Sequence, residues 1–135
     1  MAMQIYEEGK SLFFRKPYDM HHHPRRKGIL RLVAPMIPDR LAGAIIMPNS
    51  PPYITTTDAL EAYLTEVISA VRYPGFQPLM TWYLTDMLDD KEVANSIRSK
   101  RARGVKYYPR GGTTGSDQGV ADPSALWTPG TKPYE

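Results

Sequence analysis

Cysteine is absent from the 135 residues. Disulfide scaffolds and thiolate metal sites are therefore excluded, and the chain suits a reducing compartment. Long apolar runs are absent as well. None approaches the ~20 residues that carry a helix across a bilayer. No cationic stretch followed by an apolar one opens the chain, so the sequence predicts no signal peptide, a cytoplasmic location and no membrane partner. Neither sign of charge dominates, since 17 Lys and Arg against 14 Asp and Glu leave +3. A basic group does stand at Lys100, Arg101, Arg103, Lys106 and Arg110, with Tyr107 and Tyr108 between. It admits a nucleic-acid reading, but helix C-termini attract cations anyway. The low net charge supplies no broad basic footprint, so no nucleic-acid partner is expected. Histidine is nearly absent, with all three residues falling at His21, His22 and His23. Any imidazole-based metal site must begin there.

What is present at that point is Asp19-Met20-His21-His22-His23-Pro24-Arg25. In an extended segment side chains alternate between faces. Asp19, His21, His23 and Arg25 would share one face, and Met20, His22 and Pro24 the other. Neutral imidazoles bind zinc and similar metals, and a guanidinium two residues on can hold a carboxylate-bearing ligand beside them. A surface histidine cluster is the plainer reading of the same residues.

The length allows one domain with a core of its own. Residues 1–10 read as a loose arm, and Ser11 to Phe14 as a small strand. Gly28 to Pro35 reads as a short helix, with Ile29, Leu32 and Val33 on its apolar face. Ala42 to Met47 and Leu79 to Leu84 are unalternating apolar runs, the pattern of strands buried on both faces. Thr57 can cap a helix to about Val71, with Leu60, Leu64, Val67, Ile68 and Val71 as its stripe. Asp89 or Asp90 can cap another through about Ser99, with Val93 and Ile97 inward. Gly104 to Tyr108 reads as a last short strand with Lys106 at its centre. The tail from Arg110 has no periodicity, and 121–135 reads as irregular. Strands alternating with helices predict an α/β chain built on a parallel sheet. The polar residues then gather after the strands' carboxyl ends: His21 to Arg25, Asn49, Thr85-Asp86, and Lys106 to Thr114. That is the face where α/β barrels build their sites.

Four segments carry a resemblance to a known family. They are Asp19 to Arg25; Ile46-Met47-Pro48-Asn49-Ser50-Pro51-Pro52 with Thr55-Thr56; Pro78 to Asp86; and Lys106-Tyr107-Tyr108-Pro109 with Thr113-Thr114 and Gly119-Val120. In this order and spacing the chain resembles the N-terminal half of dihydroorotase, of the bacterial homodimeric type within the amidohydrolase superfamily. The resemblance covers about Lys16 to Val120. It implies a partial TIM barrel of about four parallel strands with intervening helices. It also implies a hydrolase acting on cyclic amides, which interconverts N-carbamoyl-aspartate and dihydroorotate in pyrimidine biosynthesis. The family site holds two zinc ions. By this resemblance His21 and His23 are ligands of the first metal. Lys106, carboxylated, is a catalytic bridging ligand, and Arg25 and Asn49 hold the substrate carboxylate. On the residues alone, Asn49 after Pro48 also fits a turn, and Lys106 also fits an ordinary lysine snorkelling from a strand.

The resemblance is incomplete. The family's site needs two later histidines and a late aspartate, and this chain has no histidine after His23. Its acids after Lys106 are Asp117, Asp122 and Glu135, all in the tail. A TIM barrel takes about 250 residues, so a single truncated domain is expected. His22 and Pro24 also replace apolar residues on the far face of the first strand, which should weaken its packing. Two expectations follow. One is a dihydroorotase-like enzyme: self-association into a homo-oligomer can bring two half-barrels together but cannot create the absent histidines, whereas a partner half can supply them. The other is a non-catalytic homologue that self-associates or binds a partner.

Overall fold

Four strands lie side by side in the order β3-β4-β5-β6, every pair parallel. The structure is a computed structural model. It describes residues 2–7 and 10–130, with side chains from Phe14 onward. Before the sheet, β1 (Ala2–Glu7) and β2 (Lys10–Arg15) form an antiparallel hairpin whose backbone register pairs Ile5 with Leu12. This corrects the loose arm read for residues 1–10. The segment MQIY carries β-favouring residues that become a strand once a partner is available, and β2 supplies one. Residues 1, 8 and 9 of that arm, and 131–135 of the tail, lie outside the described residues.

The sheet itself is β3 (Tyr18–His22), β4 (Gly43–Ile46), β5 (Gln77–Tyr83) and β6 (Ala102–Lys106). Between them run α1 (Lys27–Val33), a 3-10 turn at Ala34–Met36, α2 (Ile37–Arg40), α3 (Thr57–Val71) and α4 (Asp90–Arg98). The expected βα alternation is present. Among the described residues, the tail beyond β6 is irregular apart from an isolated parallel bridge between Pro109 and Val120 and a 3-10 turn at Pro123–Trp127.

The core lies between the helices and one face of the sheet. Ala44 and Ile46 of β4 and Met80 and Trp82 of β5 pack there with Leu30, Ala34, Leu60, Tyr63 and Val67. Ile45 and Leu79, which point the other way, stay only half-buried. The second face is only half-buried at Ile45 and Leu79 but closes toward the carboxyl ends, where Met47, Thr81 and Tyr83 are buried, so the runs are buried on both faces there. Trp82 is the largest fully buried side chain, and its indole N–H donates to Ser96 Oγ at 2.7 Å. Ser96 Oγ in turn donates to Val93 O at 2.8 Å, which ties α4 to the sheet.

Several helix faces differ from the sequence reading. On α1 the inward residue is Leu30, followed by Ala34, while Ile29 and Leu32 face out. The i, i+4 pair lies over the sheet. On α3 Tyr63 takes the inward place read for Ile68, which is exposed. Thr56 rather than Thr57 caps that helix, accepting from Ala59 N at 3.1 Å. Asp89 caps α4 as expected, accepting from Lys91 N and Glu92 N, but Ile97 stays exposed and Ser96 is buried instead. Finally, β6 runs two residues earlier than read. Lys106 therefore stands at the strand's carboxyl end instead of its middle. Among the described residues, no helix is long and apolar enough to cross a membrane.

Candidate active site

β3 does not alternate regularly. Asp19 pairs with Ala44 and His22 with Ile46, so three steps on β3 match two on β4. This irregularity moves Asp19 away from the face read for it. Its carboxylate accepts from the His21 backbone N–H at 2.9 Å and sits 2.8 Å from His22 Nδ1. The His21 N–H holds the Asp19 carboxyl below its usual range, and the bond to His22 adds to this. The bond also supplies a partner for the histidine expected to weaken the strand. Its other nitrogen, Nε2, is buried without one. Pro24 is fully buried.

His21 and His23 do come together. Their Nε2 atoms are 3.1 Å apart and their ring centroids 5.1 Å apart. Two imidazole nitrogens bound to one zinc at ~2.0–2.1 Å stand about 3 Å from each other, so the pair is at chelating distance. Burial pushes His23 below the usual histidine range, and the positive Arg25 reinforces this, followed by the neighbouring imidazoles and Lys106. A neutral imidazole is the form that binds metal.

Arg25, Asn49 and Lys106 line the same cavity as the two histidines, a space of about 700 Å³ at the carboxyl ends of β3, β4 and β6. All five expected site residues therefore share one mouth. Thr85 and Asp86, grouped with them on the sequence, line a neighbouring hollow with Arg110 instead. Arg25 has φ 64 and Lys27 φ 53, a left-handed conformation that costs a non-glycine residue about 1–2 kcal/mol. Asn49 is buried, and its Nδ2 donates to Thr114 O at 3.1 Å. Its free atom, Oδ1, has no partner and is an acceptor. The Asn49 amide has two N–H donors; one is given to Thr114 O, and the second can serve a carboxylate in the cavity it lines. Lys106 Nζ stands 5.6 Å from the centre of the Tyr108 ring.

Sequence reasoning missed the residues that hold the tail over this mouth. Tyr53, Tyr83 and Tyr108 form two edge-on ring contacts at 5.1 and 5.2 Å. Tyr83 Oη donates to Gly115 O at 3.1 Å, and Tyr53 Oη donates to Asp117. That bond to Asp117 pushes the Tyr53 phenol up to about 12. The signal was the pair Gly111 and Gly115, both at positive φ, in a stretch that composition marks only as a loop.

No family model matches the chain. Named proteins do. A dihydroorotase of Nitrosomonas europaea is 44% identical over 114 residues, which is 82% of this chain and 33% of that protein. One of Escherichia fergusonii is 40% identical over 116 residues, 85% of this chain and 33% of its own length. The chain is a dihydroorotase homologue. Solved structures agree. The 2.4 Å crystal structure of Campylobacter jejuni dihydroorotase aligns with TM-score 0.71 and 34% identity, over 79% of this chain and 31% of that one. Saccharomyces cerevisiae dihydroorotase in complex with 5-fluoroorotic acid aligns with TM-score 0.74 and 37% identity, over 82% of this chain and 31% of that one. The chain thus spans about a third of the length of its dihydroorotase relatives, less than the half read from its motifs.

The residues present fit part of a zinc centre. Two imidazoles at chelating distance can hold one metal, but among the described residues no group of three His, Cys, Asp or Glu side chains is placed to bind a metal. Structural zinc sites close with four protein ligands and catalytic ones with three and water. The histidine pair alone is short of either.

Proposed function

We propose that this chain carries the first metal-binding and carboxylate-binding portion of a dihydroorotase-type cyclic amidohydrolase, which interconverts N-carbamoyl-aspartate and dihydroorotate in pyrimidine biosynthesis in the cytoplasm. The observation that supports it is the pair of imidazole nitrogens 3.1 Å apart in one cavity with Arg25, Asn49 and Lys106. In this reading His21 and His23 would hold zinc, and Lys106, if carboxylated, would add an anionic oxygen ligand. The chemistry a zinc ion would supply there is a lowered pKa of bound water and polarisation of a carbonyl. The chain's own residues do the positioning. Arg25 presents a fixed cation to the substrate carboxylate. Asn49 adds the second N–H of its amide while the first stays on Thr114 O, and the tyrosines and tail loop limit water. The remaining ligands come from a partner half, because a second copy of this sequence brings no histidine beyond His21 to His23.

A second reading is a homologue that binds without catalysis. It is favoured by the short donor set among the described residues. One assay separates the two: purified chain with zinc and bicarbonate, followed for dihydroorotate hydrolysis. Turnover that disappears in Lys106→Ala supports the enzyme. Zinc binding that is lost in His21→Ala, with no turnover, supports the binding protein.

A further inference from the structure

We infer that Tyr63 and Glu66, on α3, are positioning residues that fix Arg25 in its carboxylate-binding pose. This rests on the reading of Arg25 above.

The turn from Arg25 to Lys27 is unusual in containing two non-glycine residues at positive φ, 64 and 53, on either side of an extended Arg26. No glycine relieves it, so outside contacts must hold it. They come from a single helix face, because residues three apart on a helix lie side by side. Tyr63 Oη donates to Arg25 O at 2.7 Å. The Tyr63 ring lies under the Arg26 guanidinium, 4.1 Å from its carbon. Glu66 accepts from Arg26 Nε at 3.3 Å and from the Lys27 backbone N–H at 2.5 Å. That last bond replaces a cap: α1 has no side-chain cap of its own, and the Glu66 carboxylate satisfies its first N–H.

The contacts divide the work between the two arginines. Arg26 is engaged by Glu66, Tyr63 and Pro52 O. Among the described residues the Arg25 guanidinium makes no hydrogen bond or ion pair, and it borders the cavity with His21 and His23. Its backbone is held from behind while its charge stays available. Tyr63 is fully buried, and burial pushes its phenol up to about 12, so it remains a donor at working pH.

The test uses the 135-residue chain, with Tyr63→Phe and Glu66→Gln beside Arg25→Ala. Two readouts are taken. The first is the Arg25 backbone itself, through its HN–Hα coupling and Cα shift in labelled protein. The second is the ratio of affinities for dihydroorotate and for its uncharged carboxamide. The expected result is a left-handed signature at Arg25 that Tyr63→Phe abolishes. The preference for the carboxylate should also fall by about tenfold toward the Arg25→Ala value, the upper range for one lost neutral hydrogen bond. Carboxamide affinity should stay constant, whereas a merely structural role would lower both affinities together and overturn the inference. A retained left-handed signature with a retained preference also overturns it and leaves the carboxylate site intact. No preference in the unmodified chain overturns the carboxylate-site reading and this inference with it.

Discussion

Gly111 and Gly115 allow the tail's hold on Asn49 to be weighed. Both have nearly the same positive φ, 72 and 69. An added methyl at Gly111 meets nothing within 4 Å, whereas at Gly115 it falls 2.9 Å from Asn49 O and 3.2 Å from Asn49 Nδ2. The first contact is with backbone and cannot turn aside. The Gly115→Ala loop must therefore lift, and two bonds go with it: Asn49 Nδ2 to Thr114 O and Tyr83 Oη to Gly115 O. Each neutral hydrogen bond contributes about 0.5–1.5 kcal/mol net. Both substitutions carry the same left-handed penalty, about 1–2 kcal/mol, and the same loss of unfolded-chain entropy, so these effects cancel between them. Gly115→Ala should then be less stable than Gly111→Ala by roughly 1–3 kcal/mol. Urea unfolding followed by tryptophan fluorescence measures the difference, and the Asn49 side-chain amide resonances report the release of Thr114. Equal stabilities, or an Asn49 amide unmoved in Gly115→Ala, would refute the claim that the loop is seated on Asn49.

Ser96→Ala should destabilise the fold by about 1–3 kcal/mol, because it leaves the fully buried Trp82 indole N–H without its 2.7 Å acceptor; a loss below 0.5 kcal/mol in the same urea assay would contradict this role. Tyr63 gives an alkaline limit. Burial lifts its folded pKa to about 12, above the usual 10.0 of a tyrosine phenol, so its contribution is complete below the unfolded value and disappears as pH rises from about 10 through 12. At about 1.4 kcal/mol per unit the loss is at most roughly 3 kcal/mol. Unfolding free energies taken across that window should fall more steeply for the unmodified chain than for Tyr63→Phe, and parallel curves would exclude the effect.

The positions of the main elements were legible in the sequence because each rests on local signals. The apolar run AGAII with Pro48 after it marks β4, and Asp89 before a helical stretch marks α4. Which side chain points inward was less legible. Ile68 and Tyr63 both fit a helical stripe, and only the position of the Arg25–Lys27 turn above α3 makes Tyr63 the buried one. A phenol can serve there because its ring packs in the core while its hydroxyl reaches a backbone carbonyl. The hairpin at the N-terminus was missed for a related reason. Ser11 to Phe14, within β2, is legible as a strand, but its partner β1 has no strong pattern of its own and depends on β2.

The site was legible as a set of residues, while its geometry was not. Period-two alternation placed Asp19 beside His21 and His23, and the irregular pairing of β3 with β4 removed it. That loss is what allows Asp19 to bond both the His21 N–H and His22, so the carboxylate braces the strand from which the two imidazoles project. The Arg25 turn is likewise set by α3, some forty residues away in sequence. Both supports lie between Asp19 and Glu66, within the β3–α3 portion of the chain. The orientation of the histidine pair and of Arg25 therefore depends on contacts this chain makes for itself, whatever supplies the other metal ligands. In a chain spanning a third of the length of its relatives, the proposed metal- and carboxylate-binding corner can be preformed for that reason: it is built by neighbours in the fold, and those neighbours are present.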